Sequence, residues 1–165
     1  MVLNSGAKVV YPAQGPCLIG AVVERHIGDA LLTFYQLVVL NDGGGNLFVP
    51  VDKVLALGIR PLLDRSEIPR LLEQLKTSGK SADTSKQRGI DNLKLMASGS
   101  AFDLAEVVAS LTLLKQTKAL SFSEGKLLER AKQLLVCEIS EVMSESRELA
   151  DEQVDTAFLS RNDPV

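Results

Sequence analysis

Residues 6–15 read Gly6-Ala7-Lys8-Val9-Val10-Tyr11-Pro12-Ala13-Gln14-Gly15, and they decide the character of the first third of the chain. Val9, Val10 and Tyr11 are strand formers, and Pro12 with Gly15 stops the strand and turns it. A second apolar run, Cys17-Leu18-Ile19-Gly20-Ala21-Val22-Val23, follows at once and reads as the antiparallel partner. Arg25-His26-Ile27-Gly28-Asp29 reads as a loop turning at Gly28-Asp29. Leu31 to Leu40 is too β-branched and aromatic for a helix and reads as a strand. Asn41-Asp42-Gly43-Gly44-Gly45-Asn46 is a hairpin loop, Leu47-Phe48-Val49-Pro50-Val51 the next strand, and Gly58-Ile59-Arg60 the last. Pro50 cannot donate to a ladder, which places its strand at an edge, at a strand start or at a bulge. Periodicity alone therefore gives a five-strand barrel.

From Pro61 onward the pattern turns helical. Asp64-Arg65-Ser66-Glu67 has the form of a capping box, and Leu71, Leu72 and Leu75 mark one face of a first helix ending near Ser78-Gly79. Residues 77–85 are small and polar, a linker. A second helix is expected over about Thr84–Met96 with Ile90, Leu93 and Met96 as its apolar residues, weakened by Gly89 by about 1 kcal/mol relative to alanine. Ser100-Ala101-Phe102-Asp103 opens a third helix, whose buried stripe is Leu104, Val107, Val108, Leu111 and Leu114. Leu120-Ser121-Phe122-Ser123-Glu124 opens a fourth, with Leu127, Leu128, Ala131, Leu134, Leu135 and Ile139 inward. A short fifth helix is expected over about Asp151–Leu159 with Val154 and Phe158 inward. The fold class is α+β: a small β module over residues 1–62, then a five-helix bundle over 63–165.

A chain of 165 residues with 45% apolar content suffices for one domain or two small ones. No apolar run of about 18 residues occurs, and the N-terminus lacks a charged region followed by an apolar one. Neither a membrane span nor a secretion signal is expected. Cys17 and Cys137 lie in apolar runs of different halves and read as small core residues of a cytosolic protein rather than a disulfide. The net charge of −3 hides a split. Residues 1–63 carry four basic and four acidic side chains, residues 76–132 ten against six, and residues 133–165 two against eight. Such a split can place a positive face on one side of a fold, or can be ordinary solvated helix surface.

Catalytic patterns are missing. The single histidine, His26, permits no His-based metal cluster and sits beside a turn. Gly43-Gly44-Gly45 is not followed by Gly-Lys-Ser/Thr, so it is a hairpin tip and not a phosphate loop. No nucleophile elbow is present, and neither cysteine has a histidine nearby in sequence. A non-enzymatic protein with no cofactor and no metal is expected.

The order of the parts carries more. Gly6-x-Lys8-Val9-Val10-Tyr11-Pro12-x-x-Gly15, Phe34-Tyr35, Val49-Pro50-Val51 and Leu57-Gly58-Ile59-Arg60 resemble the CarD/CdnL family of bacterial transcription regulators. The resemblance continues through Ser98-Gly99, Phe102-Asp103-Leu104-Ala105-Glu106-Val107-Val108, Leu120-Ser121 and Leu127-Leu128-Glu129-Arg130-Ala131, and covers roughly residues 5–160. It implies a Tudor-like (SH3-like) β-barrel that binds the β subunit of RNA polymerase, in part by strand addition. It implies a helical module that contacts promoter DNA near the upstream edge of the transcription bubble and stabilises the open complex.

Carried over residue by residue, Arg25 and Ile27 take the places of the basic and apolar residues that help hold polymerase. Pro50 marks the docking edge. Phe48 stands where the family often has a polar or basic residue, and reads either as an apolar contact or as a core residue. The DNA side departs from the pattern. Family members carry a tryptophan wedge at the start of the second helix, and this chain has no tryptophan; Ser85 stands there, followed by Lys86-Gln87-Arg88-Gly89. Serine cannot fill an unstacked base step, and Gly125 occupies a place where lysine is common. Lys86, Arg88, Lys94, Lys126 and Arg130 remain as phosphate contacts for weak, salt-sensitive binding. Phe102 and Phe122 sit at positions that read as helix-start core. Two functions follow: a polymerase-bound regulator that touches promoter DNA weakly, or an adaptor on the transcription machinery whose helical half has lost DNA and binds protein.

Overall fold

The computed structural model describes residues 3–41, 43–79 and 84–161. Asp42 of the expected hairpin loop and residues 80–83 of the expected linker lie outside them. The chain divides into two compact units, Met1–Leu62 and Leu63–Val165.

The first unit is the small all-β module expected of a Tudor-like fold. Strands β1 (Lys8–Tyr11), β2 (Gly15–Ile27), β3 (Ala30–Val39), β4 (Asn46–Pro50) and β5 (Arg60–Pro61) form one antiparallel sheet in the order β4-β3-β2-β1-β5. The turn from β1 to β2 is tight. Gln14 N–H donates to the Tyr11 carbonyl at 2.9 Å, and Gly15 takes φ 90°, a left-handed conformation open to glycine at little cost. Alternation then sets the core: Val9, Cys17, Ile19, Tyr35, Leu37 and Val49 share the inner face, joined by Leu3, Val54 and Ile59. The Tyr35 hydroxyl accepts from the Leu3 amide at 3.2 Å, so the buried phenol keeps a partner.

Beyond a register shift between Ile19 and Val22, the β2–β3 ribbon leaves this core behind. The loop expected at Arg25–Asp29 is in fact strand as far as Ile27. Only the two residues Gly28 (φ 63°) and Asp29 turn the chain into β3. The physical reason is exposure on both faces: outside the core, Glu24, Arg25 and His26 stand on a strand without any alternation to betray it.

The second unit contains α1 (Ile68–Thr77), α2 (Ser85–Ala97), α3 (Ala101–Thr117), α4 (Phe122–Met143) and α5 (Arg147–Leu159). The capping box forms at Asp64 and Glu67, ahead of α1 on a single 3₁₀ turn, Arg65–Glu67. Thr84, Ser100, Ser121 and Ser146 cap the later helices, each accepting a backbone N–H with its side chain. α5 starts earlier than the expected Asp151, because Ser146 supplies a cap directly after Ser144 ends α4 in a left-handed conformation, φ 54°. Helix α3 is the centre of the bundle: Leu104, Ala105, Val107, Val108, Ala109 and Leu111 are all buried, and α1, α2 and α4 pack on it. Leu114 of its expected stripe is only half-buried. Leu71 and Leu75 of α1, Leu134, Leu135 and Ile139 of α4, and Val154 and Phe158 of α5 complete the core. Both cysteines are buried, one in each unit, and neither forms a disulfide.

Candidate functional site

Two surfaces carry the residues singled out in the sequence. On the first unit, register and pleat put Arg25, Ile27, Phe48 and Pro50 on one face of the sheet, opposite the core face of Tyr35, Leu37 and Val49. Arg25 pairs with Leu32, Val23 with Phe34, Phe34 in turn with Pro50, and Gln36 with Phe48. Within this face the Arg25 guanidinium lies over the Phe48 ring, 4.7 Å from its centroid. Phe48 is 42% exposed, so it is a surface residue held by a cation and not part of the core. An exposed pair of this kind is worth about 0.5–1 kcal/mol, enough to orient both side chains without hiding them. Among the described residues β4 pairs only with β3, so its outer edge is open, and Pro50 closes that strand where no donor is needed.

Leu32, across from Arg25 on the same face, and Leu31 and Val22 on the opposite face of the ribbon are also exposed. The sequence reading did not single out these three as surface residues. The available signal was an apolar pair, Leu31-Leu32, at a hairpin tip where no facing core strand could cover both.

On the second unit the five cations separate. Lys86 and Lys94 stand on the solvent face of α2, Lys126 is exposed on α4, and Arg130 lies one turn further on, half-buried. Arg88 does not belong with them. It is 4% exposed, and its Nε donates to Glu124 Oε2 at 3.2 Å, tying the first turn of α2 to the first turn of α4. A guanidinium committed to a buried ion pair cannot also reach a phosphate without breaking it.

Glu124 is doubly engaged. Ser121 N–H donates to it at 3.4 Å, and the Ser121 hydroxyl lies 3.2 Å from the same oxygen. Burial alone would raise its pKa; the bonds from Arg88 and Ser121 outweigh that and hold the carboxyl below its ordinary 4.5. On α4, Lys132 pairs with Asp155 at 2.7 Å and Asp151 at 3.3 Å. Burial would lower its pKa, but the two carboxylates raise it above 10.5.

Helix α2 is inverted relative to expectation. Arg88 and Asn92 are its buried residues, Leu95 and Met96 pack half-buried on the core, and Ile90 and Leu93 face solvent, Leu93 at 65% exposure. The Arg88–Glu124 pair sets this rotation, because placing Arg88 inward turns positions 90 and 93 to the far side. Ser85 is the first residue of α2, exposed and without apolar surface to offer.

Phe102 is half-buried against the core with the Arg70 guanidinium 4.6 Å from its ring centroid, in keeping with a helix-start core residue. Phe122 is not core. It is 82% exposed at the first position of α4, with Lys126 Nζ 5.5 Å from its centroid. An N-terminal aromatic buries itself only if a neighbouring element covers the cap. Here Arg88 reaches Glu124, two residues further along α4.

Among the described residues there is no group of three or more His, Cys, Asp and Glu that could hold a metal, and no helix long and apolar enough to cross a membrane. The histidine stands on the exposed ribbon.

Comparison with known proteins identifies the family. A family model described as the CarD-like/TRCF RID domain matches residues 3–63, and one described as the C-terminal domain of CarD matches residues 70–155. The "Putative transcription factor YdeB" of Bacillus subtilis (strain 168) is 29% identical over 136 residues, covering 81% of this chain and 88% of that one. The solution NMR structure of the 72-residue N-terminal domain of CarD from Myxococcus xanthus is 37% identical over 36% of this chain and 77% of that one, with a TM-score of 0.30. Both family models fall in their own order and one of them alone spans half the sequence, so the chain belongs to the CarD/CdnL family.

Proposed function

We propose that the protein is a bacterial transcription regulator whose first domain, residues 1–62, docks on the β subunit of RNA polymerase. Its helical domain, residues 63–165, then makes weak contacts to promoter DNA at the open complex. The observation that carries this reading is the shared face of Arg25, Ile27, Phe48 and Pro50 beside the open edge of β4. An open strand edge takes up a partner's strand through main-chain hydrogen bonds, and side chains flanking it supply specificity. Arg25 and Phe48, already paired, supply a cation and an apolar ring to such a partner at little ordering cost. Its place is the cytoplasm, beside polymerase, and its action is not enzymatic. The expected result is co-elution with RNA polymerase core enzyme in gel filtration, lost in Ile27→Asp. Unchanged co-elution of that variant would remove the ribbon face from the interface.

For DNA, the four surface cations Lys86, Lys94, Lys126 and Arg130 offer phosphate contacts, and Arg88 is withdrawn from the set by its ion pair. Four contacts give a slope of roughly −3 to −4 in log affinity against log salt. A second reading is favoured by one observation: Ile90 and Leu93 stand outward on α2 between Lys86 and Lys94, with serine at the wedge position. On that reading the helical half is a protein-binding adaptor. Gel retardation of a forked promoter duplex over a range of salt separates the two, since the adaptor gives no shift at any salt concentration.

A further inference from the structure

Phe122 is the most exposed large apolar side chain among the described residues. It opens α4, whose first turn is tied to the first turn of α2 by the Arg88–Glu124 pair. A ring left in water removes little apolar area from solvent, so the fold gains little from an aromatic there.

Its surroundings are specific. Lys126 Nζ lies 5.5 Å from the ring centroid. Gly125, the neighbour one turn along, offers no side chain, and a Cβ built there would meet nothing within 4 Å. The ring therefore stands beside a cation and a bare stretch of helix. Lys118, four residues earlier at the end of α3, is exposed, as is Lys86 in the first turn of α2. Among the described residues Lys86, Lys118 and Lys126 have no ion pair. The acids of these two helix starts are engaged or distant. Glu124 is held by Arg88 and Ser121, and Asp91 is half-buried on a hydrogen bond from Gln87. Glu129 is exposed but lies about 10 Å further along α4.

We propose that Phe122 stacks on the base of an unpaired nucleotide, with Lys118 and Lys126 taking the neighbouring phosphates. This rests on the DNA contact of the helical domain proposed above, and names a residue and a form of the strand for it. The chemistry identifies the occupant. An accessible aromatic face beside unpaired cations suits a single strand, and the contact tolerates any sequence because every base has a π face. A paired duplex keeps its base faces covered, so Phe122 adds affinity only for opened strand. An apolar protein surface would cover the ring but strip water from the lysines without pairing them.

Fluorescence titration of the full chain into a short single-stranded deoxyoligonucleotide carrying 2-aminopurine tests this, beside a fully paired duplex of the same sequence. The expected result is saturable binding, tighter for the single strand, with quenching of the 2-aminopurine. Phe122→Ala, with an unchanged circular dichroism spectrum, weakens single-strand binding roughly 5- to 100-fold and abolishes the quench; Phe122→Trp keeps both. Lys118→Ala/Lys126→Ala flattens the salt slope for the single strand by roughly 1.4. Equal single-strand affinity of wild type and Phe122→Ala overturns the proposal, and retardation of the forked duplex by both would leave the wider DNA reading standing. A wild-type chain that binds neither single strand nor duplex overturns both. Polymerase co-elution lost in Phe122→Ala with oligonucleotide binding unchanged would give the ring to a protein partner and overturn the stacking role.

Discussion

At the scale of single residues, the Arg88–Glu124 pair accounts for most of what distinguishes the helical unit. Glu124→Gln leaves the buried guanidinium short of the carboxylate it pairs with, and breaking such a pair from one side costs about 3 kcal/mol. Urea denaturation at pH 7 reads that loss directly. The same carboxylate gives a pH signature with a definite sign. Its folded pKa lies below the ordinary 4.5, so the stability it contributes is present above 4.5 and is lost as pH falls through the folded value. The gap between the wild type and Glu124→Gln should therefore close as pH drops from 5 towards 3, and a gap constant over that range would contradict the assignment. Lys132 works at the other end: its pKa is raised above 10.5 by Asp155 and Asp151, so its contribution is intact at neutral pH and is lost only as pH climbs through that raised value. Arg88 was legible as a cation but not as a buried one, because its partner lies 36 residues away, beyond the reach of any local pattern.

At the scale of elements, the short-range contacts are legible in the sequence. The caps at Thr84, Ser100 and Ser121 and the box at Asp64–Glu67 are contacts within three residues. Their chemistry is written in the sequence beside them. The rotation of α2 was not, since Ile90 and Leu93 make an apolar pattern that local reading puts inward, whereas the structure buries Arg88 and Asn92. Only packing against α3 and the charge on α4 choose between them. The difference is measurable: Leu93→Ser should change stability by less than about 0.5 kcal/mol. Leu111→Ala, in the fully buried middle of α3, should cost about 2–5 kcal/mol. Equal losses in thermal or urea unfolding would put Leu93 in the core after all. The β2–β3 ribbon failed to show itself for the opposite reason. With solvent on both faces, Glu24 to His26 carried no alternation, and only the Gly28-Asp29 turn was visible.

At the scale of the whole chain, the order of motifs was more informative than any of the elements between them, and two family models matched over residues 3–63 and 70–155 bear this out. Charge windows were a blunter guide. The basic stretch 76–132 contains Lys132, held by two acids, and Arg88, buried on one, so its surface is less positive than its composition. Phe122 shows the same limit from the apolar side: a helix-start phenylalanine reads as core, yet it stands 82% exposed. The account rests on the ribbon face, and one measurement reaches it most directly: calorimetric titration of the protein with the isolated lobe of a bacterial RNA polymerase β subunit, beside the Arg25→Glu variant. The variant reverses the charge that sits over Phe48 while leaving both cores untouched. Binding by the wild type, weakened at least about tenfold in Arg25→Glu as expected when a charge is made repulsive at an interface, is the predicted result. No heat of binding from the folded wild-type protein, or equal affinity in the variant, would contradict it.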